Sequence, residues 1–186
     1  MKVEVPLKIA HRLINHGPVA LLSTFYNNRP NVQTLAWLMP IDYGHPKVAF
    51  VVGSDNYTYE CLIKTGECVI NIPNKSLIKE ALGCGSTSGK DVDKFKRFKL
   101  TTLKGKTTKE APLVKECVGH LECKLINEPV LAKKYDLFLA DVTYAWAEKD
   151  LFKDFWLIKN PRAQTIHHLG SNRFATLAKQ VIKIDK

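Results

Sequence analysis

Apolar and polar positions change period several times along this chain, and each change marks an element. Leu7, Ile9, Ala10, Leu13 and Ile14 make a short stripe at helical spacing, stopped by Gly17 and Pro18. Residues 19–26 read as an apolar strand, 27–30 as a turn, and 31–39 as a returning strand, so the two make a hairpin. After a break at 40–46, residues 47–52 form a third, nearly all-apolar strand. The period then becomes helical. Ser54, Asp55 and Asn56 are capping types, Tyr59, Leu62 and Ile63 follow at helical spacing, and Gly66 ends the helix. Residues 67–72 are a strand, and Asn74 opens a second helix through Leu82. Gly83, Gly85 and Gly89 with Ser86 and Ser88 predict a flexible loop, followed by a short helical piece with Phe95 and Phe98.

The second half is strand-rich, at 113–116, 120–127, 137–147 and 155–158. Its strands alternate with hairpins and not with a helix after each strand. That pattern excludes a doubly wound parallel sheet and favours an antiparallel barrel with added helices. No linker or repeat divides the chain, so residues 1–186 form a single domain.

Composition narrows the function. The 45% hydrophobic and 25% charged residues suit a folded globular protein, and no apolar run is long enough to span a bilayer. The start lacks a signal peptide's apolar core, which points to the cytoplasm. Five cysteines, without CxxC spacing, fit reduced thiols and neither a disulfide framework nor a zinc site. The net charge of +10 raises nucleic acid as a partner. The lysines are scattered and few aromatics interleave with them, which argues against it. The same positive field attracts small anions such as a phosphate group.

Three stretches carry candidate chemistry. In the first, Asn31-Val-Gln-Thr34-Leu35-Ala36-Trp37, polar Asn31, Gln33 and Thr34 interrupt an apolar strand and need partners. A ligand supplies them, or the hairpin is solvated. The second, Ser54-Asp-Asn56-Tyr57-Thr58, follows a strand and opens a helix, where free N–H groups and side-chain donors suit a phosphate. Simple capping explains the same residues. In the third, residues 83–95, small residues allow close approach to a planar ligand and Lys94 brings a cation, or the segment is a surface loop. No dinucleotide fingerprint or phosphate-cradling GxxxxGK[ST] is present. His167 and His168, adjacent on a strand, point to opposite faces and do not chelate one metal ion. No nucleophile motif is present, so the catalytic residues are unassigned.

Together these blocks resemble the flavin-reductase-like, FMN-binding split-barrel family, and its flavoredoxin branch in particular. The matching text is NVQTLAW at 31–37, NYTYE at 56–60, ECVINIP at 67–73, DVDKF at 91–95, LECK at 121–124 and HHLG at 167–170. The resemblance implies a six-stranded antiparallel Greek-key split β-barrel, a homodimer, and FMN near the subunit interface. It places Asn31, Thr34 and Trp37, with neighbouring Leu35 and Ala36, at the flavin. It puts Asn56 and Thr58, with Ser54 and Tyr57, near the phosphate, and Lys94 by the ring system. Many reductases of this family carry a His just before a late barrel strand. Here that region reads Lys134-Tyr135-Asp136, which leans toward an electron carrier fed by NAD(P)H or a redox protein. The rival readings are an NAD(P)H:flavin oxidoreductase that releases reduced flavin to a monooxygenase, and a flavin-binding module without turnover.

Overall fold

The structure is a computed structural model and describes residues 3–42 and 44–182. Its first hairpin joins β1 (Ala20–Tyr26) to β2 (Arg29–Leu35), with Tyr26 facing Arg29 across a two-residue turn. Asn27 and Asn28 both take left-handed backbone, φ 52° and 55°. A type I′ turn requires that pair, and asparagine tolerates it better than most residues. The turn expected at 27–30 therefore narrows. Arg29 and Pro30 already belong to β2, an edge strand of the sheet, where a proline is tolerated.

A second hairpin, β3 (Leu38–Asp42) and β4 (Lys47–Val51), leads into α1 (Tyr57–Thr65). Gly66, at φ 68°, ends that helix, and its N–H bonds to Leu62 O. Then come β5 (Glu67–Ile72), α2 (Ile78–Ser86), α3 (Lys94–Arg97) and the short ladder of β6 (Thr102–Leu103) with β7 (Leu113–Val114). The chain continues through β8 (Gly119–Leu125), α4 (Pro129–Tyr135), β9 (Leu137–Ala147) and a last hairpin, β10 (Ile166–Gly170) with β11 (Arg173–Thr176).

Seven strands pair in the order β2-β1-β5-β8-β9-β4-β3, each neighbour antiparallel. The two edge strands, β2 and β3, are consecutive in sequence, with only Ala36 and Trp37 between them. Two linking residues reach roughly 10 Å, so the edges must approach each other and the sheet curls into a barrel. Counted as one strand bent at Ala36 and Trp37, β2 and β3 are the single strand expected at 31–39, and the barrel has the expected six. No ladder joins β2 to β3 among the described residues, so the barrel is split at that bend. The return of β5 to the side of β1 is the long connection of a Greek key.

Alternate residues of the strands fill two layers. Leu22, Leu35, Phe50, Ile70 and Phe138 pack inside the barrel. Leu21, Val32, Ala81, Cys84 and Phe95 pack outside it, where α2 and α3 cover β1 and β2. Burial on both faces is why β1 reads as a continuous apolar run.

Several expected elements shift. Residues 83–86 are helical, not a loop. A side chain at Gly83 would collide with the Phe98 ring and one at Gly85 would press on Thr34, so these glycines serve close packing. Residues 155–158 form no strand. Only an isolated bridge joins Phe152 to Trp156, whose rings meet edge to face. The stripe at Leu7–Leu13 is a 3-10 helix with no buried residue. α4 carries too few apolar positions to announce itself.

On the outer face of the sheet, Asn71 accepts from Val114 N–H at 2.8 Å and donates to Leu21 O at 2.8 Å, which fixes its amide orientation. His120 Nδ1, 2.8 Å from Asn71 Oδ1, must therefore carry the proton. Burial holds this imidazole down to about 4, against the pull of Glu122, so it is neutral near pH 7. Glu122 itself is fully buried on β8. It accepts from the amides of Lys106 at 2.9 Å, Thr107 at 2.6 Å and Thr108 at 2.9 Å, and from Trp146 Nε1 at 2.7 Å. Burial acts to raise its pKa, but these donors outweigh burial and bring it to about 2.

A folded pKa below the unfolded value of roughly 4.3 gives stability that is present above that pH and lost as pH falls toward 2. Glu122→Gln should therefore cost about 3 kcal/mol at pH 7. The melting temperatures of variant and wild type should converge between about pH 4 and pH 2. A gap that stayed constant across that range would show that the carboxylate's charge is not what holds the 106–108 segment.

Candidate functional site

A polar cavity of about 230 Å³ lies between the start of α1, the end of α2 and the loop that follows it. Asn56, Tyr57 and Thr58 form one wall, Cys84 through Gly89 another, and Gln33 of β2 and Lys94 of α3 complete it. Asn56 occupies the N-cap position of α1 yet makes no side-chain cap. The first N–H groups of the helix thus have no capping side chain, which removes the capping explanation of Asn56. Asp55 also lines the cavity, and its carboxylate counts against an anion placed directly beside it.

Lys94 is only 3% exposed. Its Nζ donates to Cys84 O at 2.8 Å, and among the described residues it belongs to no ion pair. Burial lowers its pKa, with the nearby Cys84 acting in the other direction. Burial likewise pushes Cys84 up to about 12, against the pull of Lys94, so it is a thiol and not a nucleophile at neutral pH. All five cysteines are free and buried.

Asn31 stands directly behind the cavity. Its Nδ2 donates to Thr58 Oγ1 at 2.9 Å and to Thr24 Oγ1 at 3.3 Å, while its buried Oδ1 has no partner. A side chain on Gly89 would collide with that oxygen and crowd the Tyr57 ring, so only glycine lets the loop come this close.

The structure thus brings Asn56, Tyr57, Thr58 and Lys94 together around one cavity, with Asn31 as its support. It separates the other candidates from them. Thr34 directs its hydroxyl to Ala81 O and ties α2 to β2. Leu35 is in the barrel core. Ser54 does not line the cavity, because its N–H is taken by Asp136 Oδ1 at 3.1 Å. Ala36 and Trp37 line a different, apolar groove of about 470 Å³ beside His11, Ile14 and Phe50. Gln33, one of the polar interruptions of its strand, and the small residues of 84–89, within the stretch expected to allow close approach to a planar ligand, both line the cavity. Arg29 lies in the segment expected as a turn and has no sequence signal of its own. His167 Nδ1 lies 3.0 Å from His16 O and His168 Nε2 lies 2.8 Å from Ser171 O, so the two histidines serve separate local contacts. Among the described residues no group of three or more His, Cys, Asp or Glu side chains could hold a metal ion, and no helix is long and apolar enough to cross a membrane.

A six-strand split barrel with a polar cavity beside its bent strand defines a class of small-molecule-binding barrel. The chain belongs to the flavin reductase-like domain family, whose model matches residues 12–167. It is 33% identical over 183 residues to the uncharacterized protein YddH of Escherichia coli, covering 95% of this chain and 96% of that protein. Its fold superposes with a TM-score of 0.86 on an FMN-binding domain of a flavin reductases-like enzyme from Shewanella baltica, at 29% identity over 98% of this chain and 97% of that one. A flavoredoxin of Desulfovibrio vulgaris shares the fold with a TM-score of 0.79 and 24% identity, over 89% of each chain.

The buried ammonium has a direct consequence for stability. An unpaired buried charge is more costly than an apolar side chain of similar volume. Lys94→Met should raise the melting temperature of the ligand-free protein by about 2–4 °C, the equivalent of roughly 1 kcal/mol in a chain of this size. A lower melting temperature would mean that the fold already compensates the charge.

Proposed function

We propose that this chain is a redox flavoprotein that holds one FMN in the polar cavity and moves electrons from NAD(P)H or a protein donor to an acceptor. The observation that carries the reading is the buried Lys94 side chain, without an ion-pair partner among the described residues, in a member of the flavin reductase-like family. The residues present fit the group. FMN is an anion with ring acceptors, which answers the unpaired cation of Lys94 in the cavity wall. The uncapped start of α1 with Asn56, Tyr57 and Thr58 suits the phosphate. Burial raises the Tyr57 pKa, with a smaller opposing effect from Arg29, so its hydroxyl stays a donor. Lys94, held by Cys84 O, would stand where negative charge accumulates on a reduced ring, and that charge would oppose the lowering of its pKa by burial. When bound, FMN supplies the electron-transfer chemistry, and the protein positions and tunes it.

A cavity of about 230 Å³ is small for a mononucleotide, and a dinucleotide is further out of reach. A second copy of the chain completes such a site, which is why we place the protein as a homodimer. Trp37, Met39, Trp146 and Phe155 are exposed apolar groups available for that contact. The buried thiols suit a reducing compartment, the cytoplasm.

The purified protein should be yellow, should bleach with NADH under anaerobic conditions, and should release FMN on extraction. Recovery of FAD alone, or a colourless protein that takes up no FMN on titration, would refute the reading. Light scattering should give twice the chain mass at micromolar concentration. A monomer with flavin bound would remove the partner subunit from the site.

A further inference from the structure

We propose that Arg29 is the latch of the cavity: by pinning the loop of residues 87–93 to β2 and α1, it sets how slowly bound flavin leaves. The proposal rests on the FMN reading above and adds to it a residue outside the cavity lining.

The observations converge on this side chain. The type I′ turn at Asn27 and Asn28 places Arg29 at the first position of β2, with its side chain beside the loop. Arg29 Nη2 donates to Gly89 O and reaches Lys90 O at 3.5 Å. Its guanidinium also lies 5.7 Å from the centroid of the Tyr57 ring, within cation–π range. Tyr57 and Gly89 both line the cavity, so one cation joins its two walls. A second tie is weaker: Lys90 Nζ is 3.9 Å from Glu60 Oε2, with both side chains substantially exposed.

The loop needs such a tie. It carries a glycine at its closest approach to β2, where no side chain fits to anchor it. Its internal backbone bonds are few and long, Asp91 N to Ser88 O at 3.3 Å and Val92 N to Ser88 O at 3.2 Å. Lys90 N–H adds a bond to Ser88 Oγ at 3.1 Å, and Thr87 Oγ1 ties the loop's first residue to Gly83 O at 2.9 Å. A segment with so few bonds opens readily unless something outside it holds it down. Arg29 supplies one nitrogen, Nη2, shared between two loop carbonyls, and a planar face for Tyr57. A lysine has no such plane to meet the ring while its donor reaches the loop.

This geometry separates a latch from a simple attractive charge. A charge that steers an anion acts on the association rate and weakens with salt. A latch acts on dissociation. The test measures FMN association and dissociation by flavin fluorescence for wild type, Arg29→Ala and Arg29→Lys, at low and moderate salt. Hydrogen exchange is measured on the ligand-free proteins in parallel. Both variants should release FMN about tenfold faster, the change expected for one hydrogen bond to a charged group. Their association rates should match wild type. Amides of 87–93 should exchange faster in both variants, with exchange in the barrel strands unchanged. Restoration of the wild-type dissociation rate by Arg29→Lys would show that charge alone acts, and would overturn the latch. Unchanged dissociation, or unchanged loop exchange, in Arg29→Ala would overturn it too. A wild type that binds no FMN refutes the FMN reading instead, and the exchange data still decide whether Arg29 holds the loop.

Discussion

The two-residue bend at Ala36 and Trp37 governs the architecture. It joins strands at opposite edges of one sheet, so the sheet can form only by curling. A bend of this kind takes backbone groups out of the ladder, and buried groups without partners are costly. The chain answers locally. With its amide turned so that each end meets a complementary group, Asn15 donates to Ala36 O at 3.0 Å and accepts from Trp37 Nε1 at 2.9 Å. Trp37 O accepts from Val51 N–H at 3.1 Å. His11 meets the Trp37 ring edge to face at 5.7 Å. This gives a purpose to the N-terminal segment, whose 3-10 helix buries nothing of its own. It contributes to the split of the barrel and not to the core.

The strand that enters the bend distributes its side chains to several structures. Val32 and Thr34 face outward, one packing in the layer under α2 and the other bonding that helix at Ala81 O. Leu35 turns into the barrel, while Asn31 reaches Thr58 at the head of α1. Gln33 borders the cavity. Strand alternation predicts the sidedness of these residues. It does not predict which partner each polar group finds, since those partners come from α1 and α2, distant in sequence.

That distinction accounts for what was legible. Hairpins, strand order class and helix ends follow from local rules: asparagines at a I′ turn, glycine at the end of α1, and apolar runs where both faces of a strand are covered. The family blocks added the barrel itself. The site divided differently. Asn56, Tyr57, Thr58 and Lys94 meet at one cavity because α1 and α3 both pack on β2, a tertiary event their spacing cannot encode. Ser54 looked equivalent to its neighbours, but Asp136 reaches it from the end of α4. Glycines 83 and 85 looked like a loop because sequence gives no view of Phe98 and Thr34 pressing on a helix. Arg29 lies in the segment expected as a turn, and its reach to Gly89 O has no local signal.

Two buried charges show how structure separates support from function. Glu122 is surrounded by successive backbone amides and an indole N–H, so the fold satisfies it and its purpose ends there. Glu67 repeats the device, accepting from the amides of Lys109 at 2.9 Å and of Glu110 and Ala111 at 2.8 Å. Together the two carboxylates pin the segment between β6 and β7. Lys94 is treated in the opposite way. An ammonium has three donors, and the protein supplies one acceptor, Cys84 O. The remaining donors belong to a side chain that lines a polar cavity, with an orphaned amide oxygen at Asn31 behind the same wall. A fold able to saturate two carboxylates with main-chain donors has the means to pair or remove a lysine. Leaving it partly unpaired costs stability that packing alone would not require. The unmet donors of Lys94 lie at a polar cavity where a ligand can meet them.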